Sequence, residues 1–430
     1  MTLQDTPAAG PLDRFGRYAL VGGEKALRIP VGIFVSGLTS RALGVEDFGL
    51  LSSVLVLLTV MSPLASFGLE SLGIALASGS HGAAGYIKSI APFRLVTGIV
   101  AAVLFLLAST AFFHAAADRV AAYALCALAT VLVLRIYEIG ENLLFAQERL
   151  ATLAAIRIGA LLSANLLIVA VLLVKPGLSQ LLAISAAEAA LLLAAYAYLF
   201  RSDIREAMHQ RGEHGELRSA FAQCRAAAPV FLSGLLVLVL LNADKLLVYR
   251  FMGKTEVGLY NSAAKLLDVL YFIPMVIGTA HAASFARLAQ GGNLLPAYRS
   301  ALSTATVLSV AAAAVLALCS GFIMPLVFGS PFADASRVLA LLAPCLVAVS
   351  WVSLRTRAMA AMDQRREILR LTLTACAVHF PFLALGLWIG SIEAVALCQS
   401  ASWMVGAAIV PMFSPVAGRL SPLRALRVAR

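Results

Sequence analysis

The 430-residue sequence is short of charge. Asp, Glu, Lys and Arg make up 13% of it, where a soluble domain carries roughly 25%, so an ordinary water-soluble fold is excluded. Signatures of chemistry are missing too. Its six cysteines (Cys126, Cys224, Cys319, Cys345, Cys376, Cys398) are scattered, with no CxxC or Cys/His ligand spacing. They read as small apolar packing residues rather than disulfides or metal ligands. No HExxH, GxSxG or paired-carboxylate arrangement occurs, and "GGEK" at Gly22–Lys25 lacks the glycine spacing and the following Ser/Thr of a phosphate loop. ATP hydrolysis is therefore excluded, and no enzyme activity, cofactor or metal is expected. The opening "MTLQDTPAAGPLDRFGR" has no basic segment leading into a cleavable apolar core, so the first apolar run is expected to stay as a spanning helix.

What is present is apolar. Hydrophobic residues make up 61% and the mean hydropathy is +0.91. Runs of about 20 apolar residues recur, each long enough to cross a hydrocarbon core roughly 30 Å thick. In lipid such runs must be helices, because every backbone polar group has to be satisfied internally. The pattern predicts an all-α polytopic membrane protein of about twelve spans. They fall near 17–40, 48–76, 89–113, 119–142, 152–174, 178–200, 226–250, 258–284, 300–325, 334–355, 367–389 and 394–414. The longest polar interruption, Arg201–Ser219, separates six spans from six. The expected organisation is an N-terminal half over 1–200, a cytoplasmic linker over 201–225, a C-terminal half over 226–414 and a basic cytoplasmic tail over 415–430.

A formal net charge of +11 raises the question of nucleic acid, but the basic residues gather in short segments between apolar runs. No RNA-recognition signature or long basic arm is present, so no nucleic-acid partner is expected. With both termini inside, nineteen Lys and Arg fall on the inner face. Six (Arg41, Arg119, Lys175, Arg250, Lys254, Arg337) fall on the outer face. That asymmetry predicts cytoplasmic termini and short outer loops.

A phrase repeats across the halves. "SRALGVEDFGLL" (Ser40–Leu51) returns as "YRFMGKTEVGLY" (Tyr249–Tyr260), pairing Arg41 with Arg250, Gly44 with Gly253, Asp47 with Glu256 and Gly49 with Gly258. "FAQER" (Phe145–Arg149) is echoed by "AMDQR" (Ala361–Arg365). Six spans per half make the halves parallel repeats, related by a pseudo-two-fold axis along the membrane normal. The phrase is read as the outer turn between the first two helices of each half. Its glycines permit a tight turn and close packing, and its acids favour the following helix N-terminus. Arg41 and Arg250 are candidates for an outer gate.

Ionisable groups inside the spans carry the functional information, since each costs at least ~2.5 kcal/mol at the bilayer centre unless paired or wet. They include Lys25 and Arg28 in span one, and Arg135, Glu138, Glu141 and Asn142 in span four. Spans seven and eight hold Asp244, Lys245, Asn261, Lys265 and Asp268. Two readings fit. The groups line a water-filled, largely basic cavity between the halves, or they hold helices together in pairs such as Glu24 with Arg28 and Lys265 with Asp268. Arg94, Arg157 and Arg370 lie near inner helix ends, where snorkelling suffices. Glu70, Glu188 and His379 complete the set. Pro30, Pro63, Pro274 and Pro381 sit inside spans, where each bends its helix.

The stretch Thr39–Ser71, with Arg41, Leu43, Gly44, Phe48, Gly49, Gly68 and Leu69, resembles the opening of bacterial O-antigen (Wzx-type) polysaccharide flippases. These belong to the multidrug/oligosaccharidyl-lipid/polysaccharide exporter superfamily. Asp244, Gly258 and Tyr260 match the second-half pattern. Lipid II flippases of that superfamily usually carry two further C-terminal spans, and this chain is expected to end after its twelfth. The resemblance implies two six-helix repeats around a central cavity in a bacterial cytoplasmic membrane. It implies alternating-access flipping of an undecaprenyl-pyrophosphate-linked oligosaccharide. Lys25, Arg28, Arg135, Lys245 and Lys265 would face the pyrophosphate, beside Glu138 and Asp244 as further cavity charges. Coupling to an H+ or Na+ gradient would fall to Asp244, Glu138 or Glu70. Expected partners are the lipid-linked oligosaccharide, membrane lipids, and a polysaccharide polymerase and glycosyltransferases. A cation-coupled multidrug antiporter of the same superfamily is the nearest alternative, and a polysaccharide polymerase or ligase a more distant one.

Overall fold

The computed structural model describes residues 11–67, 69–79, 82–113, 119–174, 177–209, 216–290, 292–414 and 417–425. Side chains are taken from residue 27 onward, except at 69–72, 75, 119–124, 216–227, 230 and 425. Every regular element among the described residues is helical. In chain order these are α1 (Pro11–Ser66), α2 (Leu69–Gly79), α3 (Gly82–Phe113), α4 (Arg119–Leu134), α5 (Glu138–Ala146), α6 (Leu150–Val174), α7 (Leu178–Leu199), α8 (Arg201–His209) and α9 (Glu216–Met252). They continue with α10 (Lys254–Leu270), α11 (Phe272–Ala289), α12 (Leu294–Phe328), α13 (Ala335–Leu342), α14 (Cys345–Ala361), α15 (Arg365–Ile389), α16 (Ile392–Ala408) and α17 (Pro422–Ala425).

Ten helical stretches among the described residues are long and apolar enough to cross a membrane. They correspond to eleven of the twelve expected spans, the first holding two of them and span four not being among the ten. Leu27–Ser66 is 40 residues long, roughly 60 Å at 1.5 Å per residue and twice the hydrocarbon thickness. It holds spans one and two, which meet at Gly44 (φ 77°, ψ −178°) without a separate loop. Span four is divided: α4 gives way to a 3₁₀ turn at Arg135–Tyr137 and resumes as α5. Span eight divides between α10 and α11 just before Pro274, which has no N–H to return to the carbonyl of Leu270. Span ten divides at Pro344 for the same reason. Apolar side chains along α3 (Val96, Ile99, Val100, Val103, Leu107) stay exposed, as lipid-facing positions do and as a soluble surface does not. The chain is a multi-pass membrane protein.

The helices pack as two units that are discontinuous in sequence. Residues 1–35 and 61–227 form one, and residues 36–60 and 228–430 form the other. This differs from contiguous halves over 1–200 and 226–414, because the end of span one and the start of span two pack with the second group. In the first unit α3, α4, α6 and α7 form the body. Tyr86, Leu143, Leu153, Leu192 and Tyr196 lie in its core. In the second unit α12 packs on α11, α13 and α14, and α16 on α13, α14 and α15.

The expected linker and tail are also folded in part. Arg201–His209 is helix α8, packed against α3. From Glu216 the chain already belongs to α9. In the tail, Leu420 O accepts a 2.7 Å hydrogen bond from Tyr298, and Ser421 Oγ donates to Ala408 O at 3.2 Å. Ala417, Leu420 and Ser421 are buried. This segment lies against α14 and α16.

Candidate functional site: charge networks inside the membrane

In the first unit, the 3₁₀ turn in span four concentrates the buried charge. Glu138 follows it directly, so Arg135 and Glu138 sit three residues apart and form an ion pair. The other carboxylate oxygen, Oε2, accepts from Arg94 Nη1 of α3 at 2.6 Å. Arg94 is 2% exposed and Glu138 6%. One carboxylate thus stands between two guanidiniums and leaves a net positive charge. Nε and Nη2 of Arg94 have no hydrogen-bond acceptor among the described residues. Next to this, Glu141 takes a two-pronged contact from Arg157 of α6, at 2.9 and 2.7 Å. Tyr196 donates to it at 3.4 Å. Asn142 donates to Tyr86 at 3.1 Å. Arg94 is therefore held inside by buried Glu138, and half-buried Arg157 is held by half-buried Glu141, so neither snorkels. Arg370 does reach outward, with a side chain 80% exposed and 3.9 Å from Glu367.

Arg28 is exposed on α1 and acts electrostatically on Glu188 of α7. The side chains of Glu24, Lys25 and Glu70 lie outside the described residues.

The second unit holds the remaining candidates. Asp244 is 2% exposed; its Oδ2 accepts from Tyr260 at 2.6 Å and its Oδ1 has no donor among the described residues. Its neighbour Lys245 donates to Asp268 at 2.7 Å and to Asn242 at 3.3 Å. Asp268 was expected to pair with Lys265 one turn away. It is held instead by Lys245 from α9, since a helix-to-helix approach brings that ammonium closer. Lys265 is half-buried beside them and feels the charges of both Asp268 and Lys245.

The repeated phrase acquires a geometry that sequence alone did not give. Gly44 and Gly253 share one backbone conformation, φ 77° and 103° with ψ near ±180°, reached at low cost only by glycine. Residues 209 apart touch their own counterparts. Glu46 accepts from Thr255 at 3.3 Å and Asn261 donates to Ser52 at 2.8 Å. A Cβ on Gly49 would lie 2.3 Å from Lys254 O, and one on Gly258 would lie 2.1 Å from Val45 O. These contacts join residues 209 apart in the chain where α1 meets α10. Phe48 packs edge-on to Phe332 and near Phe328. Arg41 donates to Leu326 O at 2.5 Å, in the last turn of α12, where a cation complements the helix dipole. Arg250 is exposed in the last turn of α9.

The family model for polysaccharide biosynthesis proteins matches residues 38–337. The chain belongs to that family. No curated protein matches this polysaccharide biosynthesis protein in sequence. Solved structures match its fold. The lipid II flippase MurJ in an inward closed conformation is 13% identical, with a TM-score of 0.71 over 95% of this chain and 91% of that one. An inward-facing multidrug resistance MATE family transporter of the MOP superfamily is 16% identical, with a TM-score of 0.60 over 94% of each chain. A MOP superfamily transporter from Pyrococcus furiosus, described by the reverse polarity of its binding pocket, is 15% identical, with a TM-score of 0.60 over 96% and 95%. The family member described here thus has the MOP transporter fold.

Proposed function

We propose that the protein flips an undecaprenyl-pyrophosphate-linked oligosaccharide from the inner to the outer leaflet of a bacterial cytoplasmic membrane. The product would feed O-antigen, capsule or exopolysaccharide synthesis. The observation that carries this reading is the polysaccharide biosynthesis family match over residues 38–337, on a fold shared with a lipid II flippase. The chemistry agrees. A pyrophosphate–sugar head is charged and hydrated, so hydrocarbon rejects it unless a polar path is supplied. The path would use Lys25, Arg28, Arg135, Lys245 and Lys265 as cationic contacts, while the prenyl tail stays in lipid. Glu138 and Asp244 would orient those cations. Both termini are cytoplasmic in this reading, on the Lys/Arg asymmetry. Transport is alternating access without a catalytic step. The outer gate includes Arg41 and Arg250, and Asp244, Glu138 or Glu70 carries any H+ or Na+ coupling. A polymerase and glycosyltransferases would be its partners.

Deleting the gene tests this directly: lipid-linked oligosaccharide is expected to accumulate on the inner leaflet and return outward on complementation. An unchanged leaflet distribution would sink the reading. Asp244, buried with an open Oδ1, together with the MATE-like fold, favours a cation-coupled drug antiporter as the second reading. Altered resistance to cationic drugs with normal leaflet distribution would select it.

A further inference from the structure

Within the second unit, α9, α14, α15 and α16 enclose a cavity, and every residue lining it belongs to that unit. No carboxylate lines it, yet it holds a permanent cation, Arg355 of α14, which is 4% exposed. Arg355 Nη1 donates to Ala407 O of α16 at 2.7 Å. A guanidinium has five N–H donors, and Arg355 makes no other hydrogen bond and no ion pair among the described residues. Its remaining N–H groups are open to the cavity it lines. Thr356, next to it in the lining, has a hydroxyl without a partner among the described residues. Arg94, buried to a similar degree in the first unit, is met by the carboxylate of Glu138; Arg355 is met by a carbonyl alone. Ala407 lies in the last turn of α16, where the helix dipole amounts to about half a negative charge. A full positive charge stands against it, so the site keeps a positive excess. A buried charge without its counter-charge is costly, and an anion accepting from the open donors removes that cost.

We infer that this cavity binds a membrane lipid with an anionic head, Arg355 pairing with the head and the adjoining apolar wall taking the start of its chain. The rest of the lining selects a lipid over a small hydrated anion. Val237, Leu240, Ile368 and Trp403 line the same space, and an inorganic anion would give up its water there for nothing. A lipid brings its own apolar chain, which gains by leaving water and lying against that wall. The polarity runs the right way. Arg355 lies within two turns of the end of α14, and its partner Ala407 in the last turn of α16, at the level of the helix ends where lipid heads sit. Leu240 and His379 lie near the middle of α9 and α15, at the depth of lipid chains. Along α15 the lining runs from Ile368 to His379, roughly 16 Å at 1.5 Å per residue. Phosphate is the head group a guanidinium fork matches best, because two parallel N–H groups meet two of its oxygens. Arg355 is not among the cations assigned to the transported substrate above.

Full-length protein, delipidated in detergent, tests this when it is offered phosphatidylglycerol or phosphatidylcholine with the same acyl chains and bound lipid is counted by native mass spectrometry. Neither lipid is polyprenyl-linked, so the result stands whether or not the flippase reading does. The expected result is one phosphatidylglycerol retained per chain under conditions that strip phosphatidylcholine. Arg355→Gln should weaken that binding about tenfold, the worth of one hydrogen bond to a charged group. Arg370→Gln, which removes an arginine with a side chain 80% exposed, should leave it unchanged. Equal affinity in Arg355→Gln and the wild type, or phosphatidylcholine held as tightly as phosphatidylglycerol, would overturn the site. If Arg355→Gln does not fold, Ala375→Phe decides instead. Ala375 lines the cavity and is half-buried, so a ring there occupies the chain's wall and leaves Arg355 in place. Wild-type affinity for phosphatidylglycerol in that variant would equally reject the proposal. Inorganic phosphate without lipid tests the other source of the same chemistry. If it raises the melting temperature of the wild type as far as phosphatidylglycerol does, and that of Arg355→Gln not at all, the site takes a free anion and the lipid assignment falls.

Discussion

Glu138 shows how one residue can change meaning between sequence and structure. On its helix it reads as a carboxylate available to a cation or a substrate. In the folded protein both its oxygens are taken, one by Arg94 and one by Arg135. Removing one partner of a buried ion pair leaves an uncompensated charge, at a cost of about 3–5 kcal/mol. Glu138→Ala is accordingly expected to destabilise the detergent-solubilised protein by about that much. The double variant Arg94→Met, Glu138→Ala should recover part of the loss. Thermal unfolding of the two single variants and the double variant measures the coupling, and additive losses would mean that the pair is not linked.

At the scale of helices, the repeated phrase proves to be a contact. The sequence presents it as two outer turns, and the fold brings α1 and α10 together at Gly49 and Gly258, with backbone against backbone. A methyl group there meets a carbonyl oxygen that cannot rotate away. Gly258→Ala is expected to cost about 1–3 kcal/mol by overpacking. Gly234→Ala, on α9 where nothing lies within 4 Å of an added Cβ, should cost nothing. Melting temperatures of the two variants compared in parallel check the difference, and equal values would argue against close packing at Gly258. The helix breaks were only partly legible. Pro274 pointed to the division of span eight, because a missing N–H is a local property. The 3₁₀ turn at Arg135–Tyr137 has no proline or glycine to announce it.

For the whole molecule, transport in the proposed reading should depend on the cations of the substrate path. Neutralising Lys25 and Arg28 together, as Lys25→Ala and Arg28→Ala, is expected to abolish complementation of a flippase-null strain while leaving membrane insertion intact. Full complementation with normal protein levels would remove both residues from the substrate path. Loss of Glu138 should lower stability whatever its part in coupling, whereas loss of these two should act on transport.

The sequence by itself determined the membrane class, the all-helical fold and the family. These depend on hydrophobic runs and spacing, which lipid reads residue by residue. Tertiary structure alone decided that residues 36–60 pack with the second unit. It alone showed that Lys245, rather than Lys265, holds Asp268. It also decided that Arg94 is held by Glu138 and Arg157 by Glu141. Each of these outcomes depends on which helix faces which. That choice is fixed by packing between segments far apart in the chain, and no periodicity within a single span encodes it.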